Sequence, residues 1–181
     1  MTMLWVKVIH SAIFGLGYGV KQTYGGHMFF VATAWVCFLL LGAVLARIDI
    51  RERRLPNPIV GGLAACTVVL LSFAAWQLNE PRRILVALAA GFVLFLALLA
   101  MAVSSPSGLG MGDVKLGFVT GVMLGWLGWE WVFWGTFIGF TVGACWALIL
   151  MMARRANRST AIAFGPFLLL GVLVSGACTL I

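Results

Sequence analysis

The feature that most constrains this chain is a succession of apolar runs, most of them about as long as a helix that crosses a lipid bilayer. Such a helix needs about 20 predominantly apolar residues, with roughly 17–25 usual. The runs cover residues 3–20, 28–46, 59–78, 84–103, 116–129, 131–153 and 161–181. The fifth run reaches full length only if its helix begins near Asp113. The sequence therefore predicts an all-α polytopic transmembrane helix bundle, with a single domain over residues 1–181 and seven spans, or six if the first run does not cross.

The composition supports a membrane protein and argues against several classes of ligand. Hydrophobic residues make up 63% of the chain and charged residues 9%, whereas soluble domains have about 45–50% apolar and about 25% charged residues. The net charge of +7 comes from basic residues between apolar runs, where they act as topological markers rather than as a surface for nucleic acid. The four cysteines form no CxxC pair. We therefore expect no metal, no cofactor and no nucleic acid, with the lipid bilayer as the surroundings.

The charged connections predict which side of the membrane each loop occupies. With seven alternating spans, the connections at 47–58, 104–115 and 154–159 lie on one side and hold eight basic residues, against three on the other side. Basic residues concentrate in cytoplasmic loops, so these three connections are predicted to be cytoplasmic in a multi-pass protein of the cytoplasmic (inner) membrane. The eight are Arg47, Arg51, Arg53, Arg54, Lys115, Arg154, Arg155 and Arg158, and the three are Lys21, Arg82 and Arg83.

Two aspartates are predicted at this cytoplasmic edge. Asp113 follows the glycine-rich stretch 108–112, and Asp49 lies in the charged connection 47–58. Taken singly, Asp113 also fits a helix N-cap and Asp49 a surface salt bridge, but a carboxylate at a membrane edge is a functional hypothesis by default. Two facing aspartates can share one proton, so that the ionised one activates water while the protonated one polarises a carbonyl. Helix dipoles predict Asp49 as the protonated partner, because it follows a helix C-terminus while Asp113 opens a helix.

Three neighbours of Asp113 are predicted to support such a site. Gly110 and Gly112, like Gly108, would allow positive φ and a close approach to a substrate chain. Lys115 lies two residues beyond Asp113, on roughly the opposite helix face. It is either part of the site or a positive-inside anchor.

Three blocks occur in a characteristic order. Asp49 lies six residues before a Leu-Pro-Asn triplet at 55–57, residues 110–116 read GMGDVKL, and residues 164–168 read FGPFL. A GxGD motif alone is weak evidence, but the three blocks together resemble the type IV prepilin peptidases, which are membrane aspartic proteases of the GxGD type. The resemblance runs from about residue 28 to the C-terminus.

The resemblance implies a function and assigns roles to the aspartates. Asp49 and Asp113 would be the catalytic pair that cleaves the leader peptide of prepilin or pseudopilin precursors, at the cytoplasmic membrane face and just before the apolar helix of the pilin. Larger members carry paired zinc-binding cysteines in an N-terminal segment and also N-methylate the new terminus. Because this chain has no CxxC pair, we expect the short, protease-only form. Which precursor is cleaved, and whether the chain forms a homo-oligomer, stay open.

Other functions fit the residues less well. Residues 105–108, SPSG, weakly resemble a rhomboid-type GxSG motif, but the first glycine is absent and His10 and His27 both lie near the N-terminus. A Ser/Lys dyad that uses Lys115 has as little support. A non-enzymatic transporter or scaffold subunit of a pilus or secretion system would suit the glycine-rich runs 121–128 and 135–143. A transporter, however, usually has polar groups near mid-membrane, where these spans have none.

Overall fold

The computed structural model describes residues 26–52, 55–104, 110–153 and 164–180, which form helices and short turns with no strand. The predicted all-helical class is thereby confirmed. The six helices within these ranges are α1 (His27–Glu52), α2 (Asn57–Gln77), α3 (Pro81–Ser104), α4 (Met111–Leu127), α5 (Trp129–Met152) and α6 (Gly165–Leu180).

Six of the seven predicted apolar runs correspond to these helices. Four of them, α1, α2, α3 and α5, are long and apolar enough to cross a membrane, while α6 is a shorter apolar helix and α4 has 17 residues. The first predicted run, 3–20, lies outside the described residues. Large apolar side chains such as Phe29, Trp76, Phe92 and Phe133 are exposed on the outer faces, as expected of a bundle surrounded by lipid.

Proline and glycine set the short turns between consecutive helices. Pro56 precedes α2, and its carbonyl accepts hydrogen bonds from the backbone N–H groups of Ile59 and Val60. Gly128 alone separates α4 from α5 and has a φ of 141°, a conformation that residues with a side chain rarely adopt. Contacts bring other helix ends together, because Gly112 packs beside Leu55, Lys115 bonds to Asn57, and Gly165 bonds to Asp49. The end of α1 and the starts of α2, α4 and α6 therefore lie at one end of the bundle.

Helix α4 is the central element of the bundle. It packs against α2, α3, α5 and α6, and twelve of its residues between Asp113 and Trp126 are buried. At the end far from Asp113, the Arg83 guanidinium of α3 lies 4.7 Å from the centre of the Trp126 ring. The first turn of α4, which carries Asp113, is thus part of the best-packed helix in the molecule.

Small residues allow α3 to approach α4 closely. A Cβ atom on Gly121 would lie 2.8 Å from the Ala90 carbonyl oxygen, and one on Gly125 would lie 2.5 Å from the Ala90 Cβ. Neither distance is compatible with a side chain, so the two backbones meet across glycine and alanine, the usual arrangement in membrane helix pairs. The run 135–143 has the same role between α5 and α6, because a Cβ on Gly139 would lie 2.8 Å from the Phe167 carbonyl oxygen.

This packing predicts that Gly121→Ala lowers the free energy of unfolding by about 1–3 kcal/mol, the usual cost of overpacking a filled interior. Gly61→Ala is the matched control, since nothing lies within 4 Å of a Cβ at that position in α2. Thermal melts in detergent would measure both variants. Equal stability of the two would contradict the close contact between α3 and α4.

Candidate active site

Asp49 lies in the last turns of α1, on the face that points into the bundle. It shares this face with Leu45 one turn earlier, and only 4% of its surface is exposed. The sequence prediction that Asp49 follows a helix C-terminus is wrong, because α1 continues to Glu52. No glycine or proline interrupts residues 47–52, so the helix carries Arg47 and Arg51 on its exposed side and Asp49 on its buried side.

Asp113 lies in the first turn of α4, with 6% of its surface exposed. Its backbone N–H donates a hydrogen bond to the Gly110 carbonyl at 3.0 Å, which closes the first turn of the helix. The Oδ1 atom of Asp113 is buried and has no hydrogen-bond partner in the described residues. A buried carboxyl oxygen without a donor is costly when the group is ionised, so burial of this kind favours the protonated acid.

The two aspartates meet at Gly165, the first residue of α6. The Gly165 N–H donates a hydrogen bond of 3.1 Å to Asp49 Oδ2. A Cβ atom on Gly165 would lie 2.8 Å from Asp49 Oδ2 and 3.5 Å from Asp113 Oδ1. One oxygen of each carboxyl group therefore faces the same small space beside the Gly165 backbone, as the paired-aspartate hypothesis requires.

Burial changes the protonation of Asp113, which lies outside the four long apolar helices. Loss of solvent and, second, the nearby charge of Asp49 raise the pKa of Asp113 from its ordinary value of 3.8 to about 7, against smaller opposing effects of backbone hydrogen bonds from Gly110 and Gly165. A carboxyl group with a pKa near 7 can both give and take a proton at neutral pH, which is what general acid–base catalysis needs.

Gly112 and Gly110 differ from what the sequence predicted. Gly112 lies inside α4, and a Cβ there would lie 2.7 Å from the Cβ of Leu55, so this glycine makes room for the segment before α2. Gly110 precedes α4 with a φ of −74°, so the predicted positive φ is wrong for it. It contributes the carbonyl that starts the helix and a backbone N–H that bonds to the Asp113 carboxyl group. The third glycine, Gly108, lies outside the described residues.

Lys115 is exposed, whereas both aspartates are buried. Its Nζ donates a hydrogen bond of 2.8 Å to Asn57 Oδ1, at the start of α2. Together with the contact between Gly112 and Leu55, this bond fastens the first turn of α4 to the Leu-Pro-Asn triplet. Lys115 thus supports the position of Asp113 from outside rather than contributing to the buried pair.

The ranges that the structure describes contain no group of three or more His, Cys, Asp and Glu residues placed to hold a metal ion. Cys37, Cys66, Cys145 and Cys178 are all free thiols. The described residues bring together two buried carboxyl groups and the backbone N–H groups of Gly110 and Gly165.

The sequence matches the family model of the type IV leader peptidase family over residues 35–148. The chain belongs to the type IV leader peptidase family. No curated protein and no solved structure matched the chain. Both aspartates lie inside the matched region, and Gly165 lies beyond it. With its long apolar helices, this leader peptidase family member is a multi-pass membrane protease.

Sequence reasoning missed three residues that shape the site in this peptidase: Leu55, Asn57 and Gly165. All three belong to blocks that the sequence had already singled out, the triplet 55–57 and the stretch 164–168. The available signal was the Gly-Pro pair at 165–166. Proline is favoured in the first turn of a helix, so the pair marks where α6 begins and where its free N–H groups lie.

The raised pKa of Asp113 predicts how the stability of the peptidase varies with pH. The folded protein holds this proton more tightly than the unfolded chain, so the stabilisation is fully present below pH 3.8 and is lost as the pH rises through about 7. The loss is on the order of a few kcal/mol. As the pH rises between these two values, the melting temperature of the wild type should fall, while that of Asp113→Asn should change much less. Glu80→Gln is the control, because Glu80 is exposed at the far end of the bundle, and this variant should respond to pH like the wild type. If the melting temperature of Asp113→Asn changed with pH as much as that of the wild type, the raised pKa could not belong to Asp113.

The bond between Lys115 and Asn57 predicts a small coupling energy. Because the pair is exposed, a double-mutant cycle with Lys115→Met and Asn57→Ala should give a coupling of about 0.2–1 kcal/mol in the free energy of unfolding. Strictly additive effects would show that the two side chains do not hold α2 and α4 together.

Proposed function

We propose that this family member is an aspartic endopeptidase that removes the leader peptide of type IV prepilin-like or pseudopilin precursors at the cytoplasmic membrane face. Asp49 and Asp113 are the catalytic pair. The observation that carries this proposal is the meeting of two buried carboxyl groups, from α1 and α4, beside the backbone of Gly165. Membership in the leader peptidase family supports the substrate class.

The environment of each carboxyl group supports a division of roles. Asp49 accepts the Gly165 N–H at the N-terminus of α6, where hydrogen bonding and the positive helix end both favour the anion. Asp113, which has an oxygen without a donor, carries the shared proton. This assignment is the reverse of the one that the dipole of α1 alone predicted, because the N-terminus of another helix reaches Asp49.

The proposed reaction needs only these two groups and a water molecule. The Asp49 carboxylate takes a proton from water, whose oxygen bonds to the carbon of the scissile carbonyl. Asp113 donates its proton to the carbonyl oxygen. In the second step, the tetrahedral intermediate breaks its carbon–nitrogen bond as the leaving amine takes the proton from Asp49 and the hydroxyl returns one to Asp113. The pair ends with one proton, as it began.

The position of the pair suits cleavage at the membrane face. Arg47, Arg51 and Lys115 are exposed at the same end of the bundle as the aspartates, while Arg83 lies at the other end. The positive-inside rule supports the first end as cytoplasmic. A leader peptide outside the bilayer would reach the pair there while the apolar helix of the precursor stays in lipid.

The decisive experiment is cleavage of a panel of prepilin and pseudopilin precursors in liposomes. We expect Asp49→Asn and Asp113→Asn each to lower the rate by about 10²–10⁴-fold, the usual contribution of one acid or base, with melting curves that show a folded protein. Glu52→Gln is the matched control, because this exposed carboxylate lies on the same helix end as Asp49 and should keep full activity. A metal chelator should have no effect, and the mass of the product should show an unmethylated N-terminus.

Two outcomes would overturn the proposal. Near-wild-type cleavage by either asparagine variant would remove that aspartate from the catalytic pair. Lack of cleavage of every precursor by the wild type would instead favour the non-enzymatic scaffold or transporter hypothesis.

A further inference from the structure

Helix α6 begins in an unusual way, because the acceptor at its N-terminus comes from another helix. The first backbone N–H groups of a helix have no partner within it. Here Gly165 N–H is bound by Asp49 Oδ2, Pro166 has no N–H, and the N–H groups of Phe167 and Leu168 bond back to the Phe164 carbonyl. A buried carboxylate of α1 is therefore the cap of α6.

The space beside Gly165 is lined by the carboxyl groups of Asp49 and Asp113 and by the side chain of Leu116. A Cβ atom there would lie 2.8 Å from Asp49 Oδ2, 3.4 Å from Leu116 Cδ2 and 3.5 Å from Asp113 Oδ1. The last of these oxygens is buried and has no donor among the described residues. Any side chain at position 165 would thus displace Asp49 from the point where the two carboxyl groups meet.

We propose that Gly165 is a positioning residue of the catalytic pair: its N–H holds Asp49 in place as the anion, and its lack of a side chain lets both carboxyl groups face one point. This inference rests on the proposed function and extends it to a residue outside the matched region of the family. Gly165 acts through Asp49 and needs no contact with the substrate.

Glycines of α5 fix how deeply α6 enters the bundle. A Cβ on Gly139 would lie 2.8 Å from the Phe167 carbonyl oxygen, and Gly171 of α6 packs directly on the backbone of Gly135. The backbone of α6 is therefore held on the side opposite the aspartates. Gly176→Ala is the control for packing damage, because a Cβ there would lie 2.5 Å from the Trp35 ring, on α6 but far from Gly165 and both carboxyl groups.

The first test measures the wild-type protein in membranes and uses a variant only to assign the signals. The chain contains only two aspartates, so carboxyl-labelled aspartate gives two solid-state NMR signals, which Asp113→Asn assigns. At slightly acidic pH we expect the Asp49 signal to be that of an ionised carboxylate close to a labelled glycine nitrogen, and the Asp113 signal to be that of a protonated acid. An ionised Asp113 with a protonated Asp49, or an Asp49 carboxyl far from every glycine nitrogen, would overturn the inference.

The second test separates positioning from substrate binding. Gly165→Ala should lower kcat by about 100-fold, the effect of a displacement of about 1 Å at a catalytic group, while KM changes little. In the same variant, the NMR signal of the Asp49 carboxyl group should shift from its wild-type position. Gly176→Ala should lose stability yet keep the wild-type NMR signals, and Gly61→Ala should keep wild-type kcat.

The outcomes distinguish this inference from the proposed function. A folded Gly165→Ala variant with wild-type kcat would overturn the positioning role while the protease assignment stands. NMR changes in Gly176→Ala as large as those in Gly165→Ala would also overturn it, because they would come from packing alone. If the wild type cleaves no precursor, the proposed function fails, and the NMR test still decides whether Gly165 holds Asp49.

Discussion

Two carboxyl groups buried side by side create the constraint on which the site depends. Two negative charges in one poorly solvated space repel each other and lose their hydration, so the pair is tolerated only with a proton or with donors. This protein supplies one backbone donor, the Gly165 N–H, to Asp49 and leaves an oxygen of Asp113 without any. A shared proton is the simplest way to satisfy both groups, and that proton is what acid–base hydrolysis uses.

The geometry of the pair depends on packing that lies far from it. The aspartates come from α1 and α4, and the residue between them comes from α6. Glycines on α4 and α5 let backbones approach to distances that exclude a Cβ, as between Gly121 and Ala90. Since glycine and alanine have few or no rotamers, such contacts leave little freedom for one helix to slide along another. Small residues deep in the bundle therefore set how closely α3 approaches α4 and how closely α5 approaches α6.

Helix ends illustrate how tertiary contacts override local electrostatics. The sequence predicted that Asp49 follows the C-terminus of its helix, where a negative charge is disfavoured. In the structure α1 continues past Asp49, and the N-terminus of α6 comes against the carboxylate. The helix end that lies nearest to the Asp49 carboxyl group in space, and not the one nearest in sequence, decides whether its negative charge is favoured. The same holds for Lys115, whose partner is Asn57 on another helix and not a residue of its own loop.

The sequence by itself predicted the helical membrane class, six of the described helices and the family, and it singled out the two aspartates as candidates. Lengths of apolar runs and short motifs carry that information, because a helix in lipid must satisfy its own backbone and catalytic side chains need particular residue types. Only the tertiary structure decided that Asp49 points inward from α1, that Gly112 makes room for Leu55, and that Gly165 joins the pair. These are contacts between residues far apart in the chain, and they follow from how the helices pack, which no local pattern specifies.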